Sequence, residues 1–486
     1  MSFNSFGFIF VFLPITLIAY WMLRKKGYYG LSVWFLVLAS CFFYAVNFPE
    51  GILTFALSLG INYFLCRSIL KTGQKTFLTA GVVFDVAVLA ICKYAPYLIA
   101  NDDATLPAPG ISFYTFCEIA LLAECYAGNV RRLSVREYTL LMTFFPKITQ
   151  GPITMPEDIL DQKDGAYDIS IEQIYRGILL FVMGCFKKVI IADTLGKAVD
   201  YGFADLHSMH TGEAIVILIS YTLQLYFDFS GYCDMAMAVA SFFGFKLPLN
   251  FDSPYKARNI SDFWKRWHIT LTRFLTKYVY IPLGGNRKGA KRTYINILLV
   301  FLISGLWHGA GLTFVIWGAM HGIMSVIYRA WSVWRKKRAL QAEKPQKLHK
   351  ESPLTNAICT LLSFIYVGVA WMFFRAPDIK AASSYFESLG ELWFPRFNYG
   401  LAKCFNIEEL WYVVKLLHLD GYRNSIYILM FVILAVLLAT VFFAPKAVDV
   451  AKRCRINIIT SVFIVVIGVW CMLSFEGVAT YLYVNF

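Results

Sequence analysis

The sequence predicts an all-α polytopic membrane protein with about eleven transmembrane helices and additional re-entrant or interfacial helices. Its composition is the first reason, because 58% of the 486 residues are hydrophobic, only 16% are charged and the mean hydropathy is +0.58. A soluble protein of this length could not bury so much apolar surface. The second reason is that several apolar stretches reach the roughly 20 residues that a helix needs to cross a hydrocarbon core about 30 Å thick.

The predicted spans begin near the N-terminus. Residues 6–26, FGFIFVFLPITLIAYWMLRKK, have no small-residue cleavage site after their apolar core, and their basic cluster follows that core. We therefore expect a retained first span and not a cleaved signal peptide. Residues 425–443, SIYILMFVILAVLLATVFF, are an equally long apolar stretch near the C-terminus.

Basic residues cluster in short segments between the predicted spans. The six clusters lie at 24–26, 71–75, 131–137, 287–292, 334–350 and 452–455. Segments with less positive charge alternate with them, at 47–51, 101–110 and about 376–422. Because basic loops tend to stay on the cytoplasmic side, this alternation predicts that both termini lie on the outer face. The net charge of +14 is then explained by membrane orientation, and no nucleic-acid partner is expected.

A single membrane domain over residues 1–486 is the simplest organisation, since there is no low-complexity linker, repeat or pair of similar halves. No metal is expected, because the eleven cysteines form no C-x-x-C pair and the histidines show no H-E-x-x-H spacing. Polarity is concentrated in residues 256–292, which hold ten Lys or Arg and one acid, Asp262. Polar groups near hydrocarbon are costly, so we expect function in this part of the chain.

Residues 261–280, SDFWKRWHITLTRFLTKYVY, form an amphipathic pattern when read as one helix starting from a Ser261 or Asp262 cap. One side is aromatic and aliphatic, and the other carries cations. The helix is too charged to span lipid alone, so we expect it at an interface or dipping into the protein. His268 lies on the edge of the apolar side, and a structural and a catalytic role both remain open for it.

The following stretch, residues 280–292, contains two adjacent glycines and a basic cluster. It lacks the spacing of a nucleotide-binding loop, and a turn before a cytoplasmic basic segment explains it without a ligand. If the chain uses a coenzyme A donor, however, the phosphates would meet Arg287, Lys288 and Arg292.

His308 lies in SGLWHGAGLTF, residues 304–314, within a long apolar tract. Only about 15 residues, or ~22 Å of helix, separate it from the basic loop, which is too short to cross the core. His308 is therefore predicted within the membrane, in the outer half, at a glycine-rich break, with Trp307 lining the site. Irregular backbone at this depth is tolerated only where it is buried or lines a water-filled cavity.

An imidazole in such a place can activate a hydroxyl toward a thioester carbonyl as a general base. The alternative is a packing histidine that bonds a backbone carbonyl. His321, on the following segment, either orients partners in the site or is structural.

Asp228, Ser230 and Asp234 are further polar intrusions at membrane depth. An unpaired carboxylate there would cost several kcal/mol, so each aspartate is expected to have a partner such as Arg258 or Arg266. Bracing of the helices is favoured over a catalytic role for these side chains.

Taken together, several motifs resemble the membrane-bound O-acyltransferases, in particular the bacterial branch of alginate O-acetyltransferases and similar peptidoglycan and cellulose acetylation proteins. The motifs are GISFYTF at 110–116, FFPKITQGPI at 144–153, YFDFSGYCDMA at 226–236, NFDSPYKARNISDFWKRWHITLTRFL at 250–275, YIPLGGNRKG at 280–289 and SGLWHGAGLTFVIWGAMHG at 304–322. The resemblance is strong over residues 1–330, and the ending YLYVNF also resembles that branch.

The resemblance implies a multi-helix fold around a central funnel, in the bacterial inner membrane. The motif-rich core would cover about residues 105–330, and C-terminal helices would follow at 354–486. His308 matches the most characteristic catalytic histidine of the family, and His268 matches its second recurrent histidine. The implied donor is cytoplasmic acetyl-CoA, a substrate and not a tightly bound cofactor.

The implied acceptor is a polysaccharide such as alginate, cellulose or peptidoglycan, or a partner acetyltransferase on the outer side. The alternatives are D-alanyl transfer to teichoic acid, a transporter of polar lipids or sugars, and a binding subunit that anchors a polysaccharide-modifying complex. A transporter would be expected to show two similar halves, whereas polarity here is concentrated in one central block.

Overall fold

The structure is a computed structural model, and it describes residues 1–99, 109–162, 169–341, 352–394, 397–422, 424–475 and 481–482. These residues form helices and turns without a strand. Parts of three segments used in the sequence analysis, 101–108, 342–350 and 483–486, lie outside the described residues.

The chain divides into two compact units. The first contains residues 1–189, 229–250 and 447–486, and the second contains residues 190–228 and 251–446. The boundary between them falls twice within continuous helical stretches, after Val189 and after Asp228.

The first unit begins with a π-helical segment, Gly7–Phe12, that runs directly into the first α-helix. Its α-helices up to the first boundary are α1 Leu13–Lys25, α2 Tyr29–Asn47, α3 Ile52–Thr72, α4 Lys75–Ile99, α5 Ile111–Tyr126, α6 Val135–Thr143, α7 Pro156–Leu160 and α8 Ile171–Cys185. Local sequence explains several ends. Ser134 and Glu137 form a capping box at the start of α6, and Gly73 ends α3 in the left-handed conformation.

The second unit contains most of the remaining helices. They are α9 Asp193–Ala204, α10 Thr211–Phe242, α11 Ile260–Arg266, α12 Ile269–Leu275, α13 Gly289–His308, α14 Leu312–Gln341, α15 Pro353–Arg375, α16 Ile379–Gly390, α17 Tyr399–Lys403, α18 Glu408–Leu416 and α19 Ser425–Phe443. The last part of α10 belongs to the first unit, as do α20 Ala447–Arg453 and α21 Ile458–Leu473.

Nine helices among the described residues are long and apolar enough to cross a membrane. They are Gly7–Lys25, Tyr29–Asn47, Pro49–Thr72, Lys75–Ala95, Thr211–Phe242, Gly289–His308, Leu312–Gln341, Pro353–Arg375 and Ser425–Phe443. Helix α21 is also apolar but shorter. The prediction of an all-α polytopic membrane protein is confirmed, with nine candidate spans in the described residues against the eleven expected.

Aromatic side chains form much of each unit's interior. In the first unit, Phe8, Phe12, Phe43 and Phe145 pack with ring centroids 5.2–6.2 Å apart. Large buried rings of this kind contribute apolar area and specific edge-to-face geometry. The predicted outer tract, about 376–422, contains α16, α17 and α18, and the side chains of α18 are largely exposed.

Candidate active site

His308 is the last residue of α13, where the helix gives way to an irregular turn. Gly309 follows with extended backbone, at φ −171° and ψ 165°, and α14 starts at Leu312. The predicted break at the glycines is therefore present. The helix itself begins at Gly289, so the basic residues of its first turn are helical and α13 is longer than the sequence analysis assumed.

Helices α13 and α14 approach each other closely through glycines. A Cβ atom on Gly318 would lie 2.5 Å from the carbonyl oxygen of Phe301 and 3.4 Å from the Cα of Gly305. No other residue type fits this contact without moving a helix backbone. The contact fixes the position of α14 next to the end of α13 that carries His308.

The imidazole of His308 is buried, at 3% exposure, among aromatic rings. The ring centroids of Trp307, Trp317 and Phe374 lie 4.6, 5.0 and 5.0 Å from it, all edge-to-face. Phe374 comes from α15, so three helices form these walls. The large rings keep the imidazole in one orientation and exclude water from much of its surface.

His321 lies on α14 and is fully buried, with its ring 5.0 Å from that of Trp317. The Nε1–H of Trp264 donates to His321 Nδ1 over 3.3 Å. An indole nitrogen is only a donor, so Nδ1 must accept and the proton of the neutral imidazole is on Nε2. Nε2 has no hydrogen-bond partner among the described residues.

His268 lies between two short helices and not within one long helix. Helix α11 starts after Asn259, whose side chain accepts from the Asp262 N–H, and ends at Arg266. His268 then adopts φ 43° and ψ 53°, and α12 begins at Ile269. The prediction of a continuous helix over 261–280 with a Ser261 or Asp262 cap is therefore wrong.

The left-handed backbone of His268 is uncommon for a residue with a Cβ and costs of order 1 kcal/mol or more. It carries the imidazole fully into the interior, where the ring centroid lies 6.2 Å from that of Trp307. Burial lowers the pKa of His268 to about 3, so the side chain is neutral at physiological pH.

Ring contacts join the three histidines into one cluster within the second unit. The order is His268, Trp307, His308, Trp317, His321 and Trp264, with successive centroids 4.6–6.2 Å apart. We call these six residues the histidine cluster. It unites four residues that the sequence analysis singled out from two separate motifs, whereas Trp264 and Trp317 were not named there as site residues.

An apolar cavity of about 220 Å³ lies beside the histidine cluster, between α12 and α13. Trp264 forms part of its wall, together with Leu271, Leu275 and Phe301. Ser304 also lines it, and its buried hydroxyl has no hydrogen-bond partner among the described residues. Ser304 precedes His308 by four residues and therefore lies on the same face of α13. We call this cavity the apolar slot.

The basic loop lies at the opposite end of α13. Gly284 and Gly285 have φ values of 103° and 53°, and the Asn296 side chain donates to the carbonyl oxygens of Leu283 and Gly285 over 3.3 and 3.0 Å. The loop is thus a fixed turn. Its predicted phosphate-binding residues, which are all exposed, are Arg287, Lys288 and Arg292.

The carboxylates of α10 have different surroundings from those expected. In the first unit, Asp234 pairs with Lys187 at 2.6 Å, and the same ammonium lies 3.4 Å from the hydroxyl of Ser230. The expected partner Arg266 instead binds Asp262, at 2.9 Å, in the second unit. Asp234 therefore has the partner that was expected for it, but this partner is Lys187 and not one of the two arginines given as examples.

Asp228 belongs to the second unit and is 1% exposed. The histidines belong to the same unit as Asp228, whereas Ser230 and Asp234 belong to the first unit. Their predicted role in bracing helices fits the Lys187 pair, since an intramembrane carboxylate requires a partner.

A second buried polar group in the first unit was missed by the sequence analysis. The carboxylate of Glu118 accepts from the Ser58 hydroxyl over 2.8 and 3.0 Å, and Asp85 accepts from the Asn62 amide over 2.7 Å. The sequence signal that could have indicated this group is the presence of acidic residues inside the apolar stretches 75–99 and 111–126. Within the described ranges there is no group of three or more potential metal ligands, and the prediction of no metal stays a prediction.

Known proteins resemble the chain over most of its length. It is 38% identical over 426 residues to the peptidoglycan O-acetyltransferase of Helicobacter pylori, and the alignment covers 79% of this chain and 78% of that protein. It is 35% identical over 410 residues to the probable alginate O-acetylase AlgI of Pseudomonas aeruginosa, covering 80% and 75%. The teichoic acid D-alanyltransferase of Bacillus subtilis is 28% identical over 365 residues, covering 69% and 90%.

The profile of the membrane-bound O-acyltransferase family matches residues 9–349. This range contains the whole histidine cluster, six of the nine candidate spans in full and most of a seventh, Gly7–Lys25. The resemblance that the motifs indicated is confirmed by this match, and the chain belongs to the membrane-bound O-acyltransferase family.

Proposed function

We propose that the chain transfers an acetyl group from cytoplasmic acetyl-CoA to an acceptor on the outer side of the bacterial inner membrane. The acceptor is a polysaccharide hydroxyl or a partner acetyltransferase that passes the group on to a polysaccharide. The observation that carries the proposal is the histidine cluster, in which a buried imidazole lies at a helix break within aromatic walls.

His308 acts as the general base. It takes the proton from the acceptor hydroxyl while the oxygen attacks the thioester carbonyl, which forms the new C–O bond. The tetrahedral intermediate then collapses, the C–S bond breaks, and the proton passes from the imidazolium to the departing thiolate. The products are the acetyl ester and free coenzyme A, with His308 neutral again.

The other histidines support this base. His268 packs against Trp307 on one side, and Trp317 packs between the rings of His308 and His321 on the other. Both act as positioning residues that hold the aromatic walls. A neutral His268 suits this role, because a second cation beside the site would oppose protonation of His308 during the reaction.

The donor binds along α13. Its phosphates meet Arg287, Lys288 and Arg292 at the exposed end of this helix. Arg292 lies 16 residues before His308, which corresponds to about 24 Å of helix. The acyl thioester end enters the apolar slot, where Ser304 offers a hydroxyl one turn before the base. An elongated molecule with a charged head and a short apolar end fits this arrangement.

The relatives favour acetyl transfer to a polysaccharide over D-alanyl transfer. Proteins named as peptidoglycan and alginate acetylating enzymes are 34–38% identical to the chain, whereas those named as teichoic acid D-alanyltransferases are 27–28% identical. Membership of an acyltransferase family favours an enzyme over a transporter or an anchoring subunit. The alternation of basic segments supports an outer location for both termini.

The test is transfer of labelled acetyl from acetyl-CoA in proteoliposomes that contain the outer-side acceptor. The variant is His308→Ala, and the matched control is His207→Ala, which removes an exposed histidine. We expect His308→Ala to bind donor normally and to lose at least 100-fold in transfer rate, the lower range for a general base, while the control keeps full activity. Unchanged transfer in a folded His308→Ala protein would contradict the proposal.

A further inference from the structure

A large cavity of about 910 Å³ lies in the first unit, beside the N-terminal end of the first span. Residues 1–6 line it, together with the ends of α2 and α21 and the middle of α10. We call it the N-terminal cavity. Its volume is at the upper end of the roughly 300–1,000 Å³ of small-molecule sites, so it can hold a ligand larger than a single ring.

The cavity carries a set of uncharged hydrogen-bonding side chains. These are Ser2, Asn4, Ser5, Asn47, Thr149, Gln150, Tyr232 and Tyr481, while none of its described lining residues is Asp, Glu, Lys or Arg. Amides and hydroxyls offer both donors and acceptors. Such a lining suits the hydroxyls of a sugar. The cavity also holds one charged group, the α-ammonium of Met1, which donates to Asn47 Oδ1.

Two of these side chains are buried with unused hydrogen-bonding capacity. Gln150 is 1% exposed, and neither atom of its amide has a partner among the described residues. Asn4 is 3% exposed, and its Nδ2 likewise lacks a partner in the part of the chain that the structure describes. An unpaired buried polar group costs about 1–3 kcal/mol, so a ligand that supplies both donors and acceptors would be bound favourably here.

Aromatic rings form other parts of the wall. Phe3 stacks on Tyr232, with centroids 5.1 Å apart and an interplanar angle of 20°, and Tyr481 meets Tyr232 edge-on at 5.1 Å. Two hydrogen bonds hold these rings. The hydroxyls of Thr149 and Tyr232 are 2.6 Å apart, and the Tyr481 hydroxyl donates to Asn4 Oδ1 over 3.0 Å.

This combination matches the chemistry of a sugar. A pyranose ring has apolar C–H faces that pack on aromatic rings, and its rim of hydroxyls donates and accepts hydrogen bonds. A lipid chain would fit the aromatic walls but would leave the Gln150 and Asn4 amides unpaired.

The predicted position of the cavity on the outer side of the membrane also agrees with a saccharide ligand. The cavity lies at the start of the first span, whereas the basic residues Arg24 and Lys25 mark its other end. Because basic clusters stay in the cytoplasm, the N-terminal cavity is on the outer side in the predicted topology.

We propose that the N-terminal cavity binds a pyranose saccharide through Gln150, Asn4 and the stacked rings of Phe3 and Tyr232. The inference that this saccharide is the acceptor glycan rests on the proposed function. The inference that the cavity binds a saccharide does not depend on the proposed function.

The experiment measures saccharide binding to the full chain in lipid nanodiscs, prepared without a sugar-based detergent that would compete. The probes are tetrasaccharides of β-1,4-linked mannuronate, of β-1,4-linked glucose and of alternating N-acetylglucosamine and N-acetylmuramic acid. The variants are Gln150→Leu, at the buried amide, and Asn47→Leu, at a half-buried position that tolerates change more easily. Gln224→Leu is the matched control, because Gln224 is a buried glutamine that does not line the cavity.

We expect at least one tetrasaccharide to bind, and we expect a tenfold or greater rise in Kd for both cavity variants and no change for Gln224→Leu. Thermal unfolding of each variant checks its fold, and Asn47→Leu carries the test if Gln150→Leu does not fold. Absence of binding by all three probes, or equal Kd values in both folded cavity variants and the control, overturns the inference.

Acetyl transfer measured on the same preparations separates the two proposals. If no saccharide binds while transfer still depends on His308, the inference fails and the proposed function stands. If the cavity variants lose saccharide binding while His308→Ala retains transfer, the inference stands and the proposed function fails.

Discussion

Substitution of Gly318 by alanine tests how the contact between α13 and α14 controls the active site. The added Cβ would lie 2.5 Å from the Phe301 carbonyl oxygen, whereas ordinary van der Waals contact begins at 3.4 Å. The helices must therefore separate locally by the difference of about 0.9 Å, because the obstacle is backbone that has no rotamer to change. Overpacking of this kind costs about 1–3 kcal/mol of stability.

The displacement reaches the histidine cluster directly. Trp317 and His321 move with α14, whereas His308 and Trp307 belong to α13. A shift of about 1 Å in a catalytic arrangement can reduce the rate by roughly 100-fold. We therefore expect Gly318→Ala to lower the acetyl-transfer rate by 10- to 100-fold, on the order of 1.4–2.7 kcal/mol in activation free energy.

The assay combines acetyl transfer in proteoliposomes with thermal unfolding of the same preparation. Gly60→Ala is the matched control, since Gly60 also lies in a helix but nothing is within 4 Å of its added Cβ. We expect the control to keep its activity and to gain up to about 1 kcal/mol from helix propensity. A folded Gly318→Ala protein with a transfer rate within twofold of wild type would refute the reasoning.

Three further predictions concern polar groups. Lys187→Ala leaves the Asp234 carboxylate buried without its ion-pair partner and should lower the free energy of unfolding by about 3–5 kcal/mol. The double substitution Lys187→Met with Asp234→Leu should restore most of this lost stability in denaturation experiments. Trp264→Phe removes the donor to His321 Nδ1 and should cost about 1–3 kcal/mol, and an unchanged unfolding midpoint would argue against that bond. The pKa of His268 is about 3 in the folded protein, below its usual 6.5, so the unfolded state binds the extra proton between these values. The stability that neutral His268 contributes should therefore be fully present above pH 6.5 and fall on acidification by at most about 1.4 kcal/mol per pH unit, and His268→Gln should make that part of the unfolding profile less steep.

The sequence predicted the main features of the candidate site because they depend on local composition. The glycines around His308 indicated a helix break, and the structure has one directly after that residue. The long apolar stretches likewise indicated membrane helices, of which nine are found among the described residues. Hydropathy and glycine spacing are local properties, so both could be read without knowledge of the tertiary contacts.

Features that depend on tertiary contacts were not predictable in the same way. The positive φ of His268 could not be predicted from the sequence, because only glycine adopts this conformation freely and the neighbours of His268 fit a helical period. Lys187 and Asp234 are 47 residues apart, and only the packing of their helices makes them partners. The N-terminal cavity joins segments from both ends of the chain, so no single motif indicates it.

The tryptophans of the second unit also make the site an optical reporter of its own integrity. Trp371 lies 5.6 Å from Trp317 and 4.9 Å from Trp267, close enough for their indole transitions to couple and give a strong near-ultraviolet circular dichroism signal. Because Trp317 also contacts His308 and His321, a change in either imidazole should alter that signal without any substrate present. The state of the cluster can therefore be followed in the membrane-bound enzyme before the first turnover.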